Sequence, residues 1–540
     1  MKKLFKPIYL ALTLALSLCF GFAGCGKNEK TDITLNEDGD IVGESTAYID
    51  FWGWGDPEEV EVFKALTERF NSENPKIVVT YIQKPSDGYS GATAQALSGR
   101  SGPDVVYVGD GDLKSWASLD LLAPMDDYLK TSKVIDVNDI WDSALGRYRF
   151  DKATQQSRPT DPLFAVPKDI GPTVIYYNKS VLSAVGVDEI SVFAEDIAAY
   201  NTANGKAYPA SGFFLLDGSN NVMPINDTSV SVDTVKSASK RIFNNKIPMT
   251  WEESIALFKL MTKSYNSASP ADYGYFTEWW FNYGWSVGGD CITYDGEKWV
   301  FSLGDTTQRY NNNGVISTTQ EDGGLPLPTT LDAFTHFVQL SQPKTTDVDG
   351  SGHYGFAVTP SPDTLSTMGK SGYFTGGKVA MMVDGRWATV TYRKNIKSFD
   401  WDVAPLPKAK NGIEAGHSGS MGMAINAKSK VKNAAWKFCE FIAGSVGQSA
   451  QAETGFNIPN QKSIANTDLF LQPDKKPANS TIFLNAARVQ RAGDWAYLSD
   501  GLWIEEWAPV LNDDVRNQKK NLTQFFAEVT DRTNAALLKY

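Results

Sequence analysis

Between residues 47 and 112 the sequence switches repeatedly between strand-like and helix-like patterning, and this alternation restricts the fold more than any other feature. Residues 48–52 have the make-up of a short buried strand. Asp56-Pro57-Glu58-Glu59 then reads as a helix start: Asp56 caps, Pro57 suits the first turn, and Glu59 completes a D-x-x-E capping box. Val62, Phe63, Leu66 and Phe70 give that helix one apolar stripe. A second strand at 77–79 follows the Asn74-Pro75 stop, and residues 103–108 supply a third, ending at Gly109-Asp110-Gly111-Asp112. Such a series predicts an α/β unit with a largely parallel sheet. In open sheets of this kind ligands lie beyond the carboxyl ends of the strands. Trp52, Trp54 and Asp56 stand at one such end and Asp110 and Asp112 at another. Each cluster alone also reads as a packing tryptophan or a Gly-Asp turn; two at equivalent edges point to a site.

A chain of 540 residues is too long for one ordinary core, so several units are expected. With 42% hydrophobic and 21% charged residues it folds rather than remaining disordered. Its three histidines are scattered, which disfavours a multi-histidine metal centre, and a net charge of −12 argues against general nucleic-acid binding. The 15 tryptophans are the compositional oddity.

At the start, Lys2, Lys3 and Lys6 precede an apolar run over 8–23, the layout of a secretory signal. The run ends in Phe22-Ala23-Gly24-Cys25, which resembles a bacterial lipobox. Residues 1–24 are therefore expected to be removed, Cys25 to carry the lipid, and 25–46 to form a flexible tether at the outer face of the cell membrane. Of the remaining cysteines, Cys291 and Cys439 make no disulfide framework, and Cys439 sits on an apolar helical stripe.

Farther along, residues 165–178 form a Pro-flanked extended segment entering an apolar strand, and Thr250-Trp251-Glu252-Glu253 starts a helix. Residues 273–285 concentrate aromatics, 376–387 read as a buried strand ending in a polar loop, and the tail from about 480 has helical character with Trp495, Trp503 and Trp507. Taken in order, these pieces resemble the extracellular solute-binding proteins of bacterial ABC importers, in the sugar-binding branch that includes maltose-binding protein. The resemblance rests on the opening Trp-Gly strand with its capped helix, Gly102-Pro103-Asp104-Val105, the 167–178 segment and Thr250-Trp251-Glu252. It continues through Gly377-Lys378-Val379-Ala380-Met381 with Gly385-Arg386-Trp387, Pro405-Leu406-Pro407, Ala434-Ala435-Trp436-Lys437-Phe438 and Gly455-Phe456-Asn457-Ile458-Pro459.

The resemblance implies a two-lobed α/β fold with hinge-crossing strands and a ligand cleft between the lobes: 47–166 plus 405–444 in the first, 167–404 plus 445–540 in the second. It implies a monomeric, non-enzymatic receptor, without a cofactor, for an oligosaccharide passed to permease subunits of an ABC importer. Ligand contacts would fall on Trp52, Trp54, Asp56, Asp110 and Asp112 from the first lobe. The second would add Trp279, Trp280, Trp387 and Trp495 or Trp503, with Lys168 and Arg386 as donors and Asp384 beside them. Stretches near 188–247 and 290–377 exceed the family's minimum. The chemistry is coherent by itself: a pyranose needs a flat aromatic body for its C–H face and fixed acceptors and donors for its hydroxyls.

Other chemistry is less well served. Glu505-Glu506 beside Trp503 and Trp507 is the carboxylate pair a glycoside hydrolase would use, and a surface carbohydrate-active enzyme is one alternative. A Trp box lined by Asp also suits a cationic solute such as a polyamine. Gly416-His417-Ser418-Gly419-Ser420 lacks the final Gly of a nucleophile elbow, and Gly369-Lys370-Ser371 lacks the upstream Gly of a P-loop. Asp347, Asp349 and Ser351 open like a calcium loop but end on Val358 rather than Glu. Tyr176-Tyr177 lie within the apolar crossing strand and read as core.

Overall fold

The computed structural model describes residues 30–540 apart from Asp56, Arg100, Gln155 and Gln156. The strand Ala47–Gly53 buries alternate residues Ala47, Ile49, Phe51 and Gly53, the period-two pattern of a pleated sheet. It pairs in parallel with Ile77–Gln83 and with Val105–Gly109. Met421–Ile425 returns antiparallel between Val105–Gly109 and Ala165–Pro167, closing a five-stranded sheet. The helix Pro57–Glu73 covers this sheet through Val60, Phe63, Leu66 and Phe70, with Pro57 at its first position as expected.

A second, four-stranded sheet has the order Tyr273–Phe276, Val379–Gly385, Thr173–Asn178, Trp401–Ala404. Thr173–Asn178 is buried along its whole length, which is why it reads as an unbroken apolar run. Tyr176 packs to one side on Phe374, Tyr392 and Phe483; Tyr177 packs to the other on Phe243. Both tyrosines are core residues. Two segments connect the sheets side by side: Gly419 N–H donates to Gly171 O at 3.0 Å and Thr173 Oγ1 donates to His417 O at 3.0 Å.

The lobe boundaries differ from those expected in three places. Residues 405–415 stay with the second sheet: Lys408 N–H donates to Met249 O and Asn282 Nδ2 to Pro407 O. Residues 445–471 belong with the first, because the helix Ser445–Thr454 packs on Lys432–Ala443 and Pro57–Glu73. Residues 30–46, expected to be free, form a small hairpin (Thr34–Leu35 with Ile41–Val42) docked on the first lobe. Ile33 is 2% exposed there, and Lys30 reaches Asp50 at 2.9 Å and Asp104 at 2.5 Å. Asp32 accepts from Asn433 N–H at 2.9 Å and Ala434 N–H at 3.0 Å, so it caps the helix Lys432–Ala443.

The longer stretches fold into appendages of the second lobe. Within 188–247 a four-stranded sheet forms around Phe213–Leu216 and Lys240–Asn244. In the 290–377 stretch the hairpin Ile292–Tyr294 with Trp299–Phe301 is held by the last helix, Leu522–Leu537, where Asn534 Oδ1 accepts from Phe301 N–H at 2.9 Å. Cys291 and Cys439 are buried free thiols. No helix among the described residues is long and apolar enough to cross a membrane.

Candidate functional site

A cavity of about 540 Å³ opens where the carboxyl ends of the first sheet, the crossing segments and the second lobe's loops meet. Trp54 follows the first strand, and Tyr107 lies within the strand Val105–Gly109 that runs into the helix Asp110–Ser118, whose first turn supplies Asp110 and Asp112. The crossing segments add Lys168, Asp169, Ser420 and Met421; the second lobe adds Trp387 and Trp495. Phe456 and Asn457 complete the wall. They swing in because Gly455, at φ +73°, ends the helix Ser445–Thr454 in the left-handed conformation, and a Cβ there would also meet Arg393 at 2.4 Å.

Two of the indoles sit in slots cut by glycine. A Cβ on Gly385 would lie 2.0 Å from the Trp387 ring and one on Gly171 2.8 Å from it. A Cβ on Gly493 or Gly111 would lie 2.4 or 2.9 Å from Trp495. The three tryptophans thus form apolar walls from both lobes.

Between these walls stand ionised groups. Lys168, its side chain 1% exposed, places its ammonium 3.0 Å from Glu59 and 2.5 Å from Asp169. Burial pulls its pKa down, but Asp169 and Glu59 more than offset this, and it ends above the ordinary lysine value. Asp169 also accepts from Asn457 Nδ2 at 2.6 Å and Met421 N–H at 3.1 Å. Asp110 accepts from Arg147 Nη1 at 2.8 Å; burial raises its carboxyl against that pull. Its other oxygen, Oδ1, and the Tyr107 hydroxyl are buried with no hydrogen-bond partner among the described residues. Buried polar atoms left unpaired at a cavity wall are costly, and a ligand hydroxyl is the kind of group that would relieve them. Asp112 is also raised by burial, while Ser90 donates to it.

A profile of the bacterial extracellular solute-binding protein family matches residues 65–479. The chain belongs to that family. The fold of this solute-binding protein is shared with an ABC substrate-binding protein, Lmo0181, of Listeria monocytogenes in complex with cycloalternan (TM-score 0.63, 17% identity, 91% of this chain and 99% of that one). It is shared with UgpB of Mycobacterium tuberculosis in complex with glycerophosphocholine (TM-score 0.61, 19% identity, 92% and 99%). It is shared too with the GacH receptor of Streptomyces glaucescens, solved unliganded and with acarbose (TM-score 0.56, 19% identity, 92% and 100%). The chain matches no curated protein sequence.

Of the residues expected at the site, Trp54, Asp110, Asp112, Lys168, Trp387 and Trp495 converge on the cavity of this solute-binding protein. Asp56 and Cys25 lie outside the described residues. The others lie elsewhere. Trp52 is half-buried with Lys84 Nζ 3.6 Å from its ring centre. Trp279 lines a neighbouring cavity of about 450 Å³ with Glu278, Lys370 and Arg516. Trp280 and Trp503 are corrected to core positions, at 3% and 0% exposure. Arg386 is corrected to a structural tie: its guanidinium donates to Gly455 O, Ser480 Oγ and Phe470 O, and burial lowers its pKa to about 9. Asp384 is buried and accepts from Tyr392 Oη at 2.8 Å.

The segment from Asp347 to Ser351 forms a turn whose tip, Gly350 and Ser351, is exposed. Asp347 accepts from Gly350 and Gly352 N–H, and Asp349 from Ser351 N–H and His353 Nδ1, and these bonds close the turn. Glu505 and Glu506 do not line the cavity, and Glu506 faces Arg532. Sequence reasoning missed Glu59, Tyr107, Asp169, Phe456 and Asn457 as wall residues. The Gly455-Phe456-Asn457 turn was the available signal, since a left-handed glycine ending a helix re-aims the residues after it.

Proposed function

We propose that this solute-binding protein is a non-enzymatic receptor, lipid-anchored through Cys25, that captures an oligosaccharide between its lobes and presents it to the permease subunits of an ABC importer. The observation that carries the reading is the pairing of three tryptophans, Trp54, Trp387 and Trp495, with the unpartnered Asp110 oxygen in one cavity. Indole faces cover the apolar side of a pyranose, and fixed carboxylates and amides take its hydroxyls. Similarity to the cycloalternan and acarbose complexes supports a saccharide.

Calorimetry of the purified chain against maltose-type, raffinose-type and xylan-type oligosaccharides and spermidine tests this. Heat with one saccharide series and no product formed from it is expected. Tight spermidine binding with no heat from any saccharide would overturn the carbohydrate reading in favour of a cationic ligand. Saccharide cleavage by the pure protein would overturn the receptor reading.

A further inference from the structure

Behind Asp110 lies a second crevice of about 330 Å³, walled by Asp110, Lys114, Ser143, Arg147, Gln490 and Arg491 among others. Asp110 lines both this crevice and the tryptophan cavity, and Trp495 faces the cavity while its neighbour Ala496 faces the crevice. Three cations meet one carboxylate there. Arg147 is satisfied: it donates to Asp110 at 2.8 Å, to Ser418 O at 2.8 Å, to Ser143 O at 3.2 Å and to Gln490 Oε1 at 3.4 Å.

Neither of the other two cations has a carboxylate within ion-pair distance among the described residues. Lys114 donates to the Tyr497 carbonyl at 2.9 Å and makes no ion pair among the described residues. Burial lowers its ammonium to about 8, against the raising pull of Asp110, which is the state of a cation short of negative charge. Arg491 is exposed, with its guanidinium 5.7 Å from the Trp285 ring centre, and its side chain makes no hydrogen bond or ion pair among the described residues. Asp290 feels its charge from beyond ion-pair distance. On a chain of net charge −12, two unpaired cations and flanking hydroxyls in one recess form a local anion-binding surface.

We propose that this crevice receives an anionic substituent, a carboxylate, sulfate or phosphate, carried on the oligosaccharide held in the tryptophan cavity. The inference rests on the carbohydrate reading and narrows it to acidic saccharides. Arg491 offers a planar fork that matches such a group two oxygens at a time, and Lys114 adds a point charge beside it.

The test is calorimetry with pairs of oligosaccharides of one backbone, with and without a uronic acid, and with inorganic phosphate alone. The acidic member should bind at least tenfold tighter, and the advantage should shrink between low and high salt. Arg491→Gln and Lys114→Gln should each lower acidic affinity severalfold or more while changing that of the neutral partner less than twofold. Equal affinity within every pair would overturn the proposal and leave the carbohydrate reading standing. Heat from phosphate without any preference for acidic saccharides would overturn it too. No heat from any saccharide would overturn both readings.

Discussion

Whether an indole binds ligand or fills a core is decided by what surrounds it. Gly385 lets Trp387 lie flat at the cavity wall, and Gly284 equally lets the buried Trp280 close on its own helix, where a Cβ would come within 2.1 Å. The same residue pair therefore serves both ends, which is why the sequence separates Trp54, Trp387 and Trp495 from Trp280 and Trp503 only through the cluster each joins in the fold. Trp387→Ala should weaken saccharide binding at least tenfold by titration calorimetry, because it removes one apolar wall. Gly385→Ala should weaken it as much by displacing the indole, with a change in tryptophan emission as the second readout. Lys168 behaves differently. Its ammonium is held by Glu59 and Asp169, so Lys168→Ala leaves two buried carboxylates without their cation and should cost about 3–5 kcal/mol in urea unfolding.

Helix ends show what local sequence can and cannot specify. The capping box at Thr250 is legible because both partners lie within four residues: Thr250 Oγ1 accepts from Glu253 N–H and Glu253 Oε2 accepts from Thr250 N–H. The helix Lys432–Ala443 has no side-chain cap of its own from Val431, and Asp32 supplies one from 402 residues away. No periodicity or motif announces a partner so distant in the chain. Asp32→Ala should destabilise the first lobe by about 1 kcal/mol, read from the urea midpoint, and should loosen residues 30–46 in hydrogen exchange. The same distance limit explains the boundary at 405–415. Pro405-Leu406-Pro407 looks like a strand exit, but which lobe it joins depends on Met249 and Asn282, far away in sequence.

For the molecule as a whole, strand-helix alternation points to α/β units with a largely parallel sheet, and the two-lobed plan is legible only through the resemblance to the solute-binding family. Its electrostatic balance emerges only on folding. Asp494 is enclosed beside Cys291, and burial, reinforced by Asp290, raises its carboxyl from the ordinary value to about 7. The folded chain thus keeps a proton that the unfolded chain releases between roughly pH 4 and 7. Stability should fall as pH rises through that window and level off above it. Thermal unfolding at pH 5 and pH 8 checks this, and Asp494→Asn should flatten the slope. The docked start of the chain bears on how the receptor sits. With Cys25 acylated as proposed, the five steps from there to Lys30 span at most roughly 18 Å. Lys30 is fastened to Asp104, at the end of the strand Val105–Gly109 farthest from Asp110 and the cavity. Such a leash would keep the protein close to the bilayer, and its search for a permease would become a search in two dimensions.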